Sequence, residues 1–154
     1  MKYCNRDKFF MQQALKEAEK AAQKNEVPVG TVIVYNNKII AKAHNLNITK
    51  NDPTAHAEIL ALRKASKVLN NYRLNDCIVY TTLEPCPMCA GAMVYARIKK
   101  LVYATEEPKS GCCKSVINIV NNKKLNHRIE VVSGVCKKEA EKLLKDFFRK
   151  LRGK

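Results

Sequence analysis

Two short motifs, His56-Ala57-Glu58 and Pro85-Cys86-Pro87-Met88-Cys89, constrain this chain more than anything else in it. Together they offer one imidazole, two thiolates and a spare carboxylate. Three protein ligands leave the fourth position of a tetrahedral zinc open to water, which separates a catalytic site from a closed structural one. Zinc lowers the pKa of bound water to about 7, so hydroxide exists at neutral pH. Glu58 is then free to take the water proton and pass it on, a task suited to a carboxylate whose pKa is raised by a partly dry pocket. Cys86 and Cys89, three apart, reach one ion from the first turn of a helix, whose N-terminal partial charge favours thiolate over thiol. His56 stands at a second helix start, with Asp52-Pro53-Thr54 as the entry signal and Thr54 or Asp52 as the cap. Both motifs therefore belong where an extended segment hands over to a helix.

Each motif alone has a blander explanation. Cys-x-x-Cys also serves as a redox pair or as half of a four-cysteine structural site, and a histidine beside an apolar run is often simply packed. The joint pattern is more specific. Proline precedes the first cysteine, glutamate follows histidine by two, and no second Cys-x-x-Cys completes a structural site. The combination is the signature of zinc-dependent nucleobase deaminases, which exchange a ring amine for oxygen.

A length of 154 residues predicts one domain over 1–154, large enough to bury about 70% of its unfolded surface. No apolar run is long enough for a membrane span, and the residues near Met1 are polar and charged, so a cytoplasmic protein without a membrane partner is expected. Seven cysteines make an odd set from which metal claims at least two, which argues against a disulfide framework. Cys4, Cys77, Cys112, Cys113 and Cys136 read as free, mostly packing thiols, with Cys112-Cys113 as the one alternative source of a fourth metal ligand. The net charge of +15 and pI near 9.6 suit an enzyme that binds a polyanion. A lysine-rich proteome would produce the same surface without that purpose.

Along the chain, helix and strand signals alternate without linkers or repeats. A helix is predicted over 6–24, with Phe9, Phe10, Leu15, Ala18 and Ala22 as its stripe. A hairpin over 27–45 turns at Asn36-Asn37. A helix over 54–69 opens with His56; a strand over 77–82 runs into Glu84-Pro85-Cys86. A helix over 88–98, a strand over 101–105, a short helix near 116–120 and a strand over 128–132 follow. The last helix, over 137–152, buries Leu143, Leu144, Phe147, Phe148 and Leu151. The pattern predicts a three-layer α/β/α sandwich around a mixed five-stranded sheet, with the metal motifs where strands give way to helices.

The sequence resembles the cytidine deaminase-like superfamily and, within it, the bacterial tRNA adenosine deaminases. The resemblance runs through residues 25–30, His44-Asn45, the 52–59 block, the 81–89 block with Gly91-Ala92, Asn126-His127-Arg128 and Phe147-Phe148-Arg149. It implies conversion of adenosine to inosine at the first anticodon position of a tRNA, by a homodimer with one Zn2+ per subunit. By position, His56, Cys86 and Cys89 would hold the zinc, Glu58 would shuttle protons, Asn45 would bond the flipped base, and backbone near Ala57 would read its edge. A base in a single-stranded anticodon loop flips at low cost, which suits a deep pocket. Glu107, Lys109, Ser110, Phe148, Arg149 and Arg152 sit where the family meets the anticodon arm. The chain departs from the family at Glu106-Glu107, where an aspartate normally touches the nucleotide beside the flipped base, and near Lys114, where a glycine is lost. Two other readings use the same motifs: a deaminase of free guanine, cytosine or a nucleoside, and a non-catalytic RNA-binding module stabilised by zinc.

Overall fold

The structure, a computed structural model, describes residues 4–153. The first helix, α1 (Asn5–Gln23), buries Phe10, Met11, Ala14, Leu15, Ala18 and Ala21. Phe9, assigned to the stripe from sequence, lies on the flank and is 53% exposed. Strands β1 (Gly30–Tyr35) and β2 (Lys38–His44) form the hairpin. Asn36 and Asn37 both take positive φ (51° and 62°), the conformation a two-residue turn needs to match the twist of its strands. Then come α2 (Ala57–Leu69), β3 (Ile78–Leu83), α3 (Pro87–Ala96), β4 (Lys100–Thr105), β5 (Glu130–Ser133) and α4 (Lys137–Arg152).

The five strands form one mixed sheet in the order β2-β1-β3-β4-β5. Strand β1 is antiparallel to both its neighbours, while β3, β4 and β5 run parallel. Consequently β2, β3 and β4 all end at the same edge of the sheet, where β1 begins. That edge collects the residues after β2 (Asn45 to His56), after β3 (Glu84 to Cys86) and after β4 (Glu106 to Ser110). Ligands of such sheets bind outside the carboxyl ends of the strands.

Alternation along the strands feeds two cores. Val32, Val34, Tyr80, Val102 and Ala104 face α1 and the start of α4, whereas Ile33, Val79, Leu101 and Tyr103 face α2 and α3. The result is the expected three-layer sandwich. Gly30 lets α1 rest directly on β1, since a Cβ there would lie 2.0 Å from the carbonyl oxygen of Ala14. Among the described residues no helix is long and apolar enough to cross a membrane.

Two expectations fail. The 116–120 segment forms turns and irregular chain, not a helix. Its amides fold back instead, Val116 N to Gly111 O and Ile119 N to Cys112 O. Asn118 then takes the amide of Asn121 with its side chain, the local competition by which asparagine displaces helical bonds. The apolar stripe of α4 is also much less covered than predicted. Only Ala140 is buried, Leu143, Leu144 and Phe147 are half-buried, and Phe148 and Leu151 are exposed (39% and 54%). α1 already covers that face of the sheet, so only the first turn of α4 reaches the core.

Candidate active site

The two motifs meet. His56 is the N-cap of α2 and Cys86 the N-cap of α3, with Pro87 at the first helical position and Cys89 one turn in. His56 Nδ1 lies 3.5 Å from Cys86 Sγ and 3.4 Å from Cys89 Sγ. All three ligand atoms fall within 4.8 Å of one another. Bond lengths of about 2.3 Å to sulfur and 2.0–2.1 Å to nitrogen at a tetrahedral angle separate N and S by about 3.6 Å, so the cluster has the spacing and donor types of a zinc site. Neither Cys112 nor Cys113 joins it: Cys112 Sγ donates to the Ser110 carbonyl, and both are buried free thiols like Cys77 and Cys136, while Cys4 is exposed. The Cys89 thiol hydrogen-bonds Cys86 and, with His56 behind it, draws the Cys86 thiol down to about 4; the same contact and burial hold the proton on Cys89.

Glu58 follows on the first turn of α2 and is 4% exposed. Burial pushes its carboxyl up to about 7, against the pull of its own backbone N–H and of His56. A carboxyl poised near neutrality can both accept and donate a proton. His56 makes no capping bond with its side chain, and neither Thr54 nor Asp52 caps the helix. Asp52 instead accepts from the amide and hydroxyl of Thr54. The first N–H of α2, that of the buried Ala57, donates to Asn45 Oδ1 at 2.8 Å, so Asn45 acts as a cap from twelve residues upstream. The Ala57 N–H is thereby engaged within the protein, and the Asn45 amide NH2 is the group left for a ligand.

Asn45, His56, Glu58 and Cys86 line a pocket of about 220 Å³, walled by Val27, Val29, Asn47, Leu83, Glu84, Glu107 and Ser110. Pockets for drug-sized ligands span roughly 300–1,000 Å³, so this one takes a single ring system and leaves the rest of a larger substrate outside. Of the residues the resemblance placed at the anticodon arm, Glu107 and Ser110 reach the pocket wall, and Lys109 is exposed on the same loop. Phe148, Arg149 and Arg152 are exposed on α4 and do not line it.

Sequence reasoning assigned no role to two buried carboxylates that hold the pocket's rims. Glu26, 1% exposed, accepts from the amides of Ile48 and Thr49 and from the Thr49 hydroxyl, fixing the loop that carries Asn47. Glu84, 2% exposed, accepts from the amides of Glu107, Cys113, Lys114 and Ser115 and from the Ser115 hydroxyl. For Glu84 the available signal was a charged residue directly after the apolar and β-branched strand run that ends Thr81-Thr82-Leu83.

A family model described as MafB19-like deaminase matches residues 5–152. The chain is 48% identical over 148 residues to a tRNA-specific adenosine deaminase of Bacillus subtilis, covering 96% of this chain and 92% of that one. A solved structure from work on A-to-I editing by tRNA:A34 deaminases at the wobble position superposes with a TM-score of 0.85. It shares 40% identity and covers 88% of this chain and 99% of its own. A guanine deaminase from Bacillus subtilis shares 49% identity over 64% of this chain and 63% of that chain, with a TM-score of 0.61. These matches to tRNA deaminases combine 40% identity or more with near-full coverage of both chains: the chain belongs to the tRNA-specific adenosine deaminase family, within the MafB19-like deaminases.

Proposed function

We propose that this protein hydrolyses adenosine to inosine at the wobble position of a tRNA, with His56, Cys86 and Cys89 holding one zinc per subunit and Glu58 moving the protons. The observation that carries the reading is a pocket sized for one base that sets a buried, near-neutral carboxylate beside a ligand set suited to zinc. Bound zinc supplies the Lewis acid that makes hydroxide available at neutral pH. Glu58 takes a proton from the attacking water and gives it to the ring nitrogen N1 as the water oxygen bonds to C6. It then takes the proton of the new C6 hydroxyl and delivers it to the amine, the C6–N bond breaks as the C6 carbonyl forms, and ammonia leaves. Asn45, fixed through its Oδ1, orients the base with its NH2 group. The full-length likeness to tRNA-specific adenosine deaminases and the net charge of +15 support an RNA rather than a free base as substrate. The exposed loop and α4 cations, Lys109, Arg149 and Arg152, are the groups available to its phosphates, and Phe148 to stacking. A homodimer fits the surface formed by α2, α3 and the segment after α2, where Tyr95 of α3 and Tyr72 of that segment are 84% and 73% exposed.

The partial likeness to a guanine deaminase keeps one rival in view, and substrate decides between them. Given equal amounts of an anticodon stem-loop with adenosine at the wobble position and free guanine, the zinc-loaded protein should consume the RNA and leave guanine. Consumption of guanine with the RNA untouched would reverse the assignment.

A further inference from the structure

The segment over 106–115 has no helix or strand of its own, yet it forms one wall of the pocket through Glu107 and Ser110. Its backbone is gathered onto a single side chain. Glu84 Oε1 accepts from Glu107 N at 3.0 Å and from the Ser115 hydroxyl; Oε2 accepts from Cys113 N, Lys114 N and Ser115 N at 3.0, 2.8 and 2.9 Å. A further bond runs from Cys112 N to the carbonyl of Pro85, the next residue. Gly111 closes against the same carboxylate: a Cβ there would lie 2.4 Å from Glu84 Oε1. The loop end nearest the pocket and the loop end farthest from it are thus both pinned to the turn that delivers Cys86. Glu107 in turn accepts from Lys109 N at 3.0 Å, which passes the register on to Ser110.

We propose that Glu84 is a positioning residue for substrate selection: it fixes the 106–115 wall relative to the metal-binding turn, and through Glu107 and Ser110 that wall selects the nucleotide next to the reacting base. This rests on the reading above that an RNA base enters the pocket. A carboxylate is required because every group facing it is a donor. An amide in its place presents NH2 to at least one backbone N–H whichever way it is turned, to Glu107 N on one side or to three amides on the other, and buried donors facing donors loosen the loop.

The test uses Glu84→Gln in the zinc-loaded enzyme, with anticodon stem-loops that differ only in the nucleotide beside the wobble adenosine. The variant should raise KM by about tenfold or more while kcat falls less than about threefold, and its preference between the stem-loops should shrink. Exchange of the Glu107, Cys113, Lys114 and Ser115 amides with deuterium should accelerate at unchanged zinc content. Ser115→Ala, which removes one donor and keeps the carboxylate, should produce the same changes at smaller amplitude, and serves if Glu84→Gln does not fold. An active wild type paired with variants of unchanged KM, stem-loop preference and amide exchange would overturn the inference. So would a loss confined to kcat and zinc content, the mark of a merely structural role. A wild type that leaves every stem-loop unmodified defeats the functional reading instead, and the role in selection with it.

Discussion

Glu58 and Glu26 show how burial acts on two carboxylates with opposite results. Glu58 has few donors, so burial dominates and lifts it to about 7. Replacement by alanine should leave zinc content and melting temperature close to wild type and abolish turnover; retained turnover would remove Glu58 from the mechanism. Burial alone would also raise Glu26, but the amide and hydroxyl of Thr49 and the amide of Ile48 outweigh it and hold its carboxyl below the ordinary 4.5. A folded pKa below the unfolded one gives stability that is complete above pH 4.5 and lost as pH falls through the folded value. Glu26→Gln should therefore cost about 1–3 kcal/mol in urea unfolding at neutral pH, and the gap from wild type should close below pH 4.5. A constant gap would show that the charge itself is unimportant. The clustering of His56, Cys86 and Cys89, with Glu58 beside them, was legible in the sequence because these side chains sit at short spacings within two motifs that each open a helix. Glu26 and Glu84 were not, because each serves amides that are distant in the chain and carry no side-chain signature.

The elements were legible where the pattern is local. The Asn36-Asn37 turn and much of the buried face of α1 follow from nearest-neighbour conformational rules and helical spacing. Two failures have a common origin in competition. Asparagine side chains took the hydrogen bonds that a 116–120 helix needed, and α1 took the sheet face that α4's stripe was expected to cover. The packing of α1 on β1 depends on the absence of a side chain at Gly30, whose would-be Cβ meets backbone at Ala14 and Ala18. Gly30→Ala should destabilise by about 3 kcal/mol, because backbone on the opposing helix cannot turn aside as a side chain can. A melting temperature within error of wild type would mean that α1 sits farther from the sheet than described.

At the scale of the whole molecule, sheet direction determines the site. With β1 antiparallel to both neighbours, β2, β3 and β4 end together, and residues from Asn45 to Ser110 converge on one pocket. The sequence indicated the sandwich but not this edge in detail, since strand order is fixed by long-range pairing. The cations on α4 are exposed and lie outside the pocket, and the proposed function makes them available to a polyanion larger than one base. Replacing Arg149 and Arg152 by alanine should weaken tRNA binding and make its dependence on salt shallower, by about one unit of log–log slope for each phosphate no longer neutralised. Identical slopes would return both residues to plain solvated surface. The central claim, hydrolytic deamination of a wobble adenosine by this pocket, is tested most directly with oxygen-18 water. The zinc-loaded enzyme should convert the wobble adenosine of an anticodon stem-loop to inosine carrying the heavy oxygen at its six-position. Unlabelled inosine, or adenosine left intact by a zinc-loaded protein, would contradict the account.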